Sequence, residues 1–226
     1  MGKPENISAI IPVYNEEDNV KKVLKKIIKV CNEIIIVNDG SKDQSLRRIL
    51  DFKSNNKNFN IKIINHEKNR GYIRSIYDGG KKASNEILIT IDSDDQHYIS
   101  DIEKMKKLYN EPNQIIIGVR DKLPRLGETL ISKIVGVKDA TTGLKLFNKN
   151  FLKFLETDNL YGAKAIFLAK ENDYEIIELP IQIKDRIKGK TSFNNLIVFY
   201  DAIRFFIYTL YYRLIKKSDK KWPNIW

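Results

Sequence analysis

Three carboxylates, Asp92, Asp94 and Asp95, follow directly on the run Ile87 to Ile91 in the stretch Glu-Ile-Leu-Ile-Thr-Ile-Asp-Ser-Asp-Asp-Gln-His, residues 86–97. A run of apolar and β-branched residues suits a strand buried on both faces of a parallel sheet. In open α/β sheets ligands bind beyond the carboxyl ends of the strands, where these acids would stand. Clustered carboxylate oxygens there suit Mg or Mn, which takes one or two protein carboxylates and completes its shell with substrate phosphates. The same residues also suit an acidic turn that caps the following helix.

The elements that must position this cluster read as alternating strands and helices. Ile7 to Val13 is an apolar run, and Tyr14-Asn15-Glu16-Glu17-Asp18 leads into a helical pattern over Val20 to Val30. Glu33 to Val37 repeats the strand signal and ends in Asn38-Asp39-Gly40-Ser41, before a helix through Leu46, Ile49 and Leu50. A polar stretch, Ser54 to Asn60, precedes a short strand over Ile61 to Ile64, and Asn69-Arg70-Gly71 opens a helix running to about Ala83. Beyond the acidic stretch come a helix from about Ser100 to Tyr109 and a strand from Gln114 to Val119, ending at Arg120. This alternation predicts an α/β fold, a doubly wound, mostly parallel, Rossmann-like sheet. After Arg120 the alternation is lost. Leu126 to Val137, Asn148 to Leu155 and Gly162 to Lys170 read as helical, 139–147 as a turn feeding a short strand, and Glu175 to Ile183 as a strand placed at an edge by Pro180.

Composition narrows the classes. A chain of 226 residues with 42% hydrophobic content is long enough for one full core, and its formal charge of +11 with a pI near 9.5 calls for an anionic partner. Cys31 is the only cysteine, which excludes an intrachain disulfide and suits a reducing compartment. Met1 to Asn6 carries no secretion signal, and no run approaches the roughly 20 apolar residues of a membrane span. Basic charge alone would also suit nucleic acid, but no recognised nucleic-acid module is present and no such partner is expected.

Pro12-Val13-Tyr14-Asn15-Glu16, Asn38-Asp39-Gly40-Ser41, Asn69-Arg70-Gly71 and Asp92-Ser93-Asp94-Asp95-Gln96-His97 all fall at or just beyond strand ends. In this order the set resembles the family 2 glycosyltransferases of the GT-A fold. It is most similar to their polyprenyl-phosphate branch, the dolichyl-phosphate mannose synthases and polyprenyl-phosphate glucosyltransferases, over roughly Ile7 to Thr191. The resemblance implies an inverting transfer from a GDP- or UDP-linked sugar to a dolichyl or undecaprenyl phosphate. Pro12, Tyr14 and Glu16 would line the nucleotide pocket, Asp39 would face base or ribose, and Asp92 and Asp94 would hold nucleotide and metal, with Gln96 completing the metal site. Arg120 and Arg186 match the positions that hold phosphate, with Lys190 assisting and Arg125 a weaker candidate. Asp139 and Gly143 match an acceptor-side motif, Leu144 replacing its aromatic. The basic loop departs from the family pattern at Thr191 and Ser192, and Gly162-Ala163-Lys164-Ala165-Ile166 lacks the glutamate common in relatives. His97 is open between a phosphate contact and a helix-start residue without catalytic part. A non-lipid acceptor, glycan or protein, is the alternative within the same class.

The last element divides the chain into a catalytic unit, 1–193, and an amphipathic aromatic and basic helix with its tail, 194–226. Leu196, Phe199, Ile203, Phe206, Leu210 and Leu214 recur at spacings of three and four and mark a helix face, widened by Tyr200, Ile207, Tyr208, Tyr211 and Tyr212. Arg213, Lys216, Lys217, Lys220, Lys221, Trp222 and Trp226 follow. Aromatic residues beside basic ones suit an anionic membrane surface, and the same pattern suits a helix packed on the core. The expected location is peripheral, at the cytoplasmic face of a membrane, which leaves room for a separate membrane-embedded partner.

Overall fold

The computed structural model describes residues 6–156, 158, 160–184 and 195–216. Arg186, Lys190 and the basic tail after Lys216 therefore lie outside the described residues. Seven strands form one sheet: β1 (Ile7–Val13), β2 (Glu33–Asp39), β3 (Asn60–His66), β4 (Ile87–Thr90), β5 (Gln114–Arg120), β6 (Lys145–Asn148) and β7 (Glu175–Ile181). Their order is β3-β2-β1-β4-β6-β5-β7. The helices are α1 (Val20–Ile27), α2 (Ser45–Asn55), α3 (Tyr72–Lys82), α4 (Ile99–Leu108), α5 (Leu126–Val135), α6 (Leu152–Leu155), α7 (Ala163–Lys170) and α8 (Asn195–Lys216).

Side chains alternate across a strand, so a run apolar at every position must be covered on both faces. Ala9, Ile11 and Val13 with Ile34 and Ile36 pack against Val23, Leu24 and Ile27 of α1, Phe52 of α2 and Met105 of α4. Ile10, Ile35 and Val37 point the other way, into a second core shared with α3, α5, α6, α7 and α8. The expected doubly wound architecture is present, with β7 at the edge that Pro180 requires.

One strand departs from the parallel pattern. β6 runs antiparallel to both neighbours, pairing Thr90 with Lys145 and Ile117 with Lys145 at its start. The chain leaves β5 at the carboxyl edge, passes through α5 and re-enters the sheet from that same edge, so β6 can only run downward. The consequence is functional: residues 139–145 are delivered to the edge where the acidic loop stands. Smaller differences concern ends. α1 stops at Ile27 rather than Val30, and α2 and β3 leave only 56–59 of the expected polar linker between them.

The terminal helix packs with a face other than the one its spacing suggests. Val198, Ala202, Phe205, Tyr208 and Thr209 are buried, whereas Leu196 is 78% exposed and Leu214 68%, and Phe199, Ile203, Phe206 and Leu210 are exposed as well. Phe205 and Tyr212 stand edge-on to Phe167 of α7, at 5.9 and 5.5 Å. Contact with α5 is so close that a Cβ on Gly127 would lie 2.6 Å from the Val198 carbonyl. Apolar residues thus occupy both sides of α8, and periodicity alone could not say which side meets the protein.

Candidate active site

The loops after β1 and β2 are laced together first. Asn15, in a left-handed conformation at φ 54°, donates its N–H to Ser41 Oγ (3.1 Å) and accepts the Lys42 N–H at its side chain (2.8 Å). Glu16 N–H donates to Ser45 Oγ at 2.8 Å. Pro12 is buried within β1, while Tyr14 is exposed at the rim. Asp39 ends β2, almost fully buried, and binds the loop after β3: Oδ1 accepts from Arg70 N–H (2.8 Å) and lies 2.7 Å from His66 Nδ1, and Oδ2 accepts from Gly71 N–H (2.9 Å). A carboxylate oxygen has two lone pairs, and among the described residues Gly71 N–H is the one donor on Oδ2.

Asp92 stands one residue past Ile91, at the tip of β4. His97 Nε2 lies 3.5 Å from its Oδ2. Burial pushes the Asp92 carboxyl up, but hydrogen bonding and charge from His97, the Tyr72 hydroxyl and the Lys145 ammonium outweigh it and hold the group below the usual carboxylate range. Beneath it, the Gly143 carbonyl accepts from Thr90 Oγ1 (2.7 Å) and Tyr72 Oη (3.3 Å), and the space a Cβ would take at Gly143 is filled by the Asp92 carboxylate. Asp94 Oδ1 accepts the Gln96 N–H at 3.2 Å. Asp95, at φ 65°, is paired with Lys26 of α1. The acidic loop therefore divides: Asp95 fastens it to α1, and Asp92 and Asp94 remain at the sheet edge.

The acceptor-side candidates form a charge-balanced cluster. Arg120 Nε and Nη2 bond to Asp139 (2.7 and 3.0 Å), and Nη2 also reaches Glu128 (3.1 Å) and Thr141 Oγ1 (3.0 Å). Arg125 Nη1 binds the other oxygen of Glu128. Two guanidinium groups thus face two carboxylates, and the bonds of Arg120 to them among the described residues run from Nε and Nη2. Behind them Lys145 is buried, its ammonium donating to the Thr142 carbonyl. Desolvation pushes that amine down to about 8, against the pull of Asp139, Asp92 and Asp158. Asp158 itself accepts from the Leu160 N–H ahead of α7 at 2.6 Å and from the Ala165 N–H in its first turn at 2.7 Å.

Sequence reading missed Tyr72, Thr90, Glu128 and Lys145. Tyr72 follows the Asn69-Arg70-Gly71 turn and Glu128 stands three residues after Arg125, but nothing local to Thr90 or Lys145 marks them, because only the antiparallel placement of β6 gives them a role. Hard carboxylate oxygens, one held ionised, fit Mg or Mn. Among the described residues no group of three or more His, Cys, Asp or Glu side chains converges into a cage, so phosphate oxygens would have to complete the sphere, as such ions prefer.

The mixed seven-strand sheet with two carboxylates at its carboxyl edge has the GT-A fold of solved glycosyltransferase structures. A Pyrobaculum calidifontis mannosyltransferase, determined with GDP-Man and Mn2+, superposes with a TM-score of 0.65 over 88% of this chain and 64% of its own, at 18% identity. The Glycosyl transferase family 2 model matches residues 8–170, and the chain belongs to that family. It is 32% identical over 213 aligned residues to a Methanococcus voltae UDP-N-acetylglucosamine–dolichyl-phosphate N-acetylglucosaminyltransferase, covering 78% of this chain and 84% of the relative. A Pyrococcus furiosus dolichol-phosphate mannosyltransferase is 26% identical over 84% of this chain and 61% of its own length. The protein is a glycosyltransferase whose relatives include polyprenyl-phosphate sugar transferases.

Proposed function

We propose that this enzyme moves a sugar from a GDP- or UDP-linked donor to a polyprenyl phosphate, with inversion, at the cytoplasmic face of a membrane. The observation that carries the reading is the juxtaposition of Asp92, held ionised at the tip of β4, with the Asp139–Gly143 segment that β6 brings beneath it. Tyr14, Glu16 and Asp39 receive the nucleotide, and Asp92, Asp94 and the Gln96 amide oxygen hold Mg or Mn. When bound, that ion neutralises the charge that develops on the departing diphosphate. An acceptor phosphate oxygen, already anionic, attacks the anomeric carbon as the carbon–oxygen bond to the diphosphate breaks, and no general base is required. Arg120, through Nη1, with Arg186 and Lys190 receives the acceptor phosphate. Asp94→Asn is expected to abolish transfer of label from nucleotide sugars into an organic-phase lipid product, with the fold intact by circular dichroism. Full activity of that variant would remove the metal assignment, and wild-type protein yielding no lipid product from any common donor would favour a glycan or protein acceptor.

The outward face of α8 supports the membrane part of this reading. Exposed Phe199, Ile203, Phe206, Ile207, Leu210 and Leu214 form an apolar surface; the helix's one carboxylate, Asp201, is bonded to Tyr161 Oη at 3.0 Å, and its arginines Arg204 and Arg213 pair with Asp201 and with Glu171. Among the described residues no helix is long and apolar enough to cross a membrane, whereas such a face can lie in the interfacial layer. Burying one large apolar side chain stabilises by about 1.5–3 kcal/mol. Phe206→Glu with Leu210→Glu should therefore reduce cosedimentation with anionic vesicles by at least roughly tenfold. Unchanged vesicle binding would rule the face out.

A further inference from the structure

Gln96 is held at the nitrogen end of its side chain. Nε2 donates to the Lys184 carbonyl at 2.8 Å, and the Lys184 N–H donates to the Gln96 carbonyl at 3.0 Å. This reciprocal pair ties the loop after β4 to the chain just past β7, across 88 residues of sequence. The Lys184 ammonium stands 4.7 Å from the centre of the Tyr98 ring and lies beside Lys26 and Asp95, so the same loop grips it from a second side. An amide has one donor end and one acceptor end, and fixing the donor end decides where the oxygen goes.

We infer that Lys184 is a positioning residue for the divalent ion: its main chain orients the Gln96 amide so that Oε1 is the end left for the ion, and ion binding tightens the Gln96–Lys184 tie in return. This rests on the metal-dependent reading above. Ligands of a metal are routinely oriented by such outer partners, whose loss costs about 10- to 100-fold in metal affinity. Drawing electron density from Oε1 makes the N–H of the same amide a stronger donor. Coupling of this kind is reciprocal, so whatever steadies Lys184 raises the affinity for the ion. Sequence reading gave Gln96 a ligand's role and gave Lys184 none.

The test is amide hydrogen exchange at Lys184 in the full chain, with and without Mn2+ plus UDP or GDP, in wild type, Gln96→Ala and Gln96→Glu. Glutamate supplies an oxygen ligand with added charge but cannot donate to the Lys184 carbonyl. Wild-type protection at Lys184 should rise at least about fivefold on loading. Gln96→Glu should bind Mn2+ without that rise, and Gln96→Ala should lose both the rise and part of the Mn2+ affinity. Metal-dependent nucleotide binding that leaves Lys184 unchanged in the wild type, or a wild-type response in Gln96→Glu, overturns the coupling while sparing the transferase reading. Calorimetry on the same samples that finds no metal-dependent nucleotide binding overturns the metal-dependent reading itself.

Discussion

Gly143→Ala is expected to weaken metal-dependent nucleotide binding on the order of 100-fold, the upper range for disturbing a metal ligand's support, while leaving the fold in place. The added methyl would occupy the position of the Asp92 carboxylate. Gly143 cannot retreat, because its carbonyl is bonded to both Thr90 Oγ1 and Tyr72 Oη. Its backbone is not left-handed, so alanine carries no intrinsic strain there and the conflict is one of space alone. Asp92 is the group that must move, and with it go the contacts to His97 and Tyr72 that hold it ionised. Calorimetric titration with Mn2+ and nucleoside diphosphate checks this, alongside thermal unfolding. Wild-type affinity in the variant would mean that Asp92 does not bind through the conformation described.

Arg120→Met is expected to destabilise the protein by about 3 kcal/mol, the cost of leaving a buried carboxylate without its partner. Asp139 is completely buried, and Arg120 supplies it with two guanidinium hydrogen bonds. For a chain of this size that corresponds to a fall in Tm of about 6–12 °C. Glu128 retains Arg125, so the loss falls mainly on Asp139, and Arg120→Met combined with Asp139→Asn should recover part of it. Arg120→Lys keeps the charge but not the fork and should fall between. Denaturation of the three variants separates these cases. A Tm unchanged in Arg120→Met would show that Arg120 is held for substrate rather than for the cluster.

These expectations mark how far the residues alone could be read. The first five strands, the helices between them and the four loops at their carboxyl ends were legible, because apolar runs closed by Asn, Asp and Gly are local signals that depend little on the rest of the chain. The position of Asp92 and Asp94 just beyond the end of β4 was legible for the same reason. Arg120 was legible as a cation at a strand end, but its engagement with Asp139, 19 residues on, was not, since spacing does not say which carboxylate a guanidinium meets. The face that α8 turns inward was not legible either: both sides are apolar, and a 3.6-residue period can orient a helix only when one side is polar.

The sequence by itself determined the α/β alternation and the acidic strand end, through periodicity and turn chemistry confined to neighbouring residues, and the class of chemistry came from the family that its strand-end motifs resemble. Only the tertiary structure decided that β6 enters antiparallel between β4 and β5, and with it that Gly143 supports Asp92, that Lys145 lies behind the site, and that Gln96 is tied to Lys184. The physical reason is that strand order and side-chain partnership are set by which surfaces can be buried together across the whole chain, and no window of sequence contains that information.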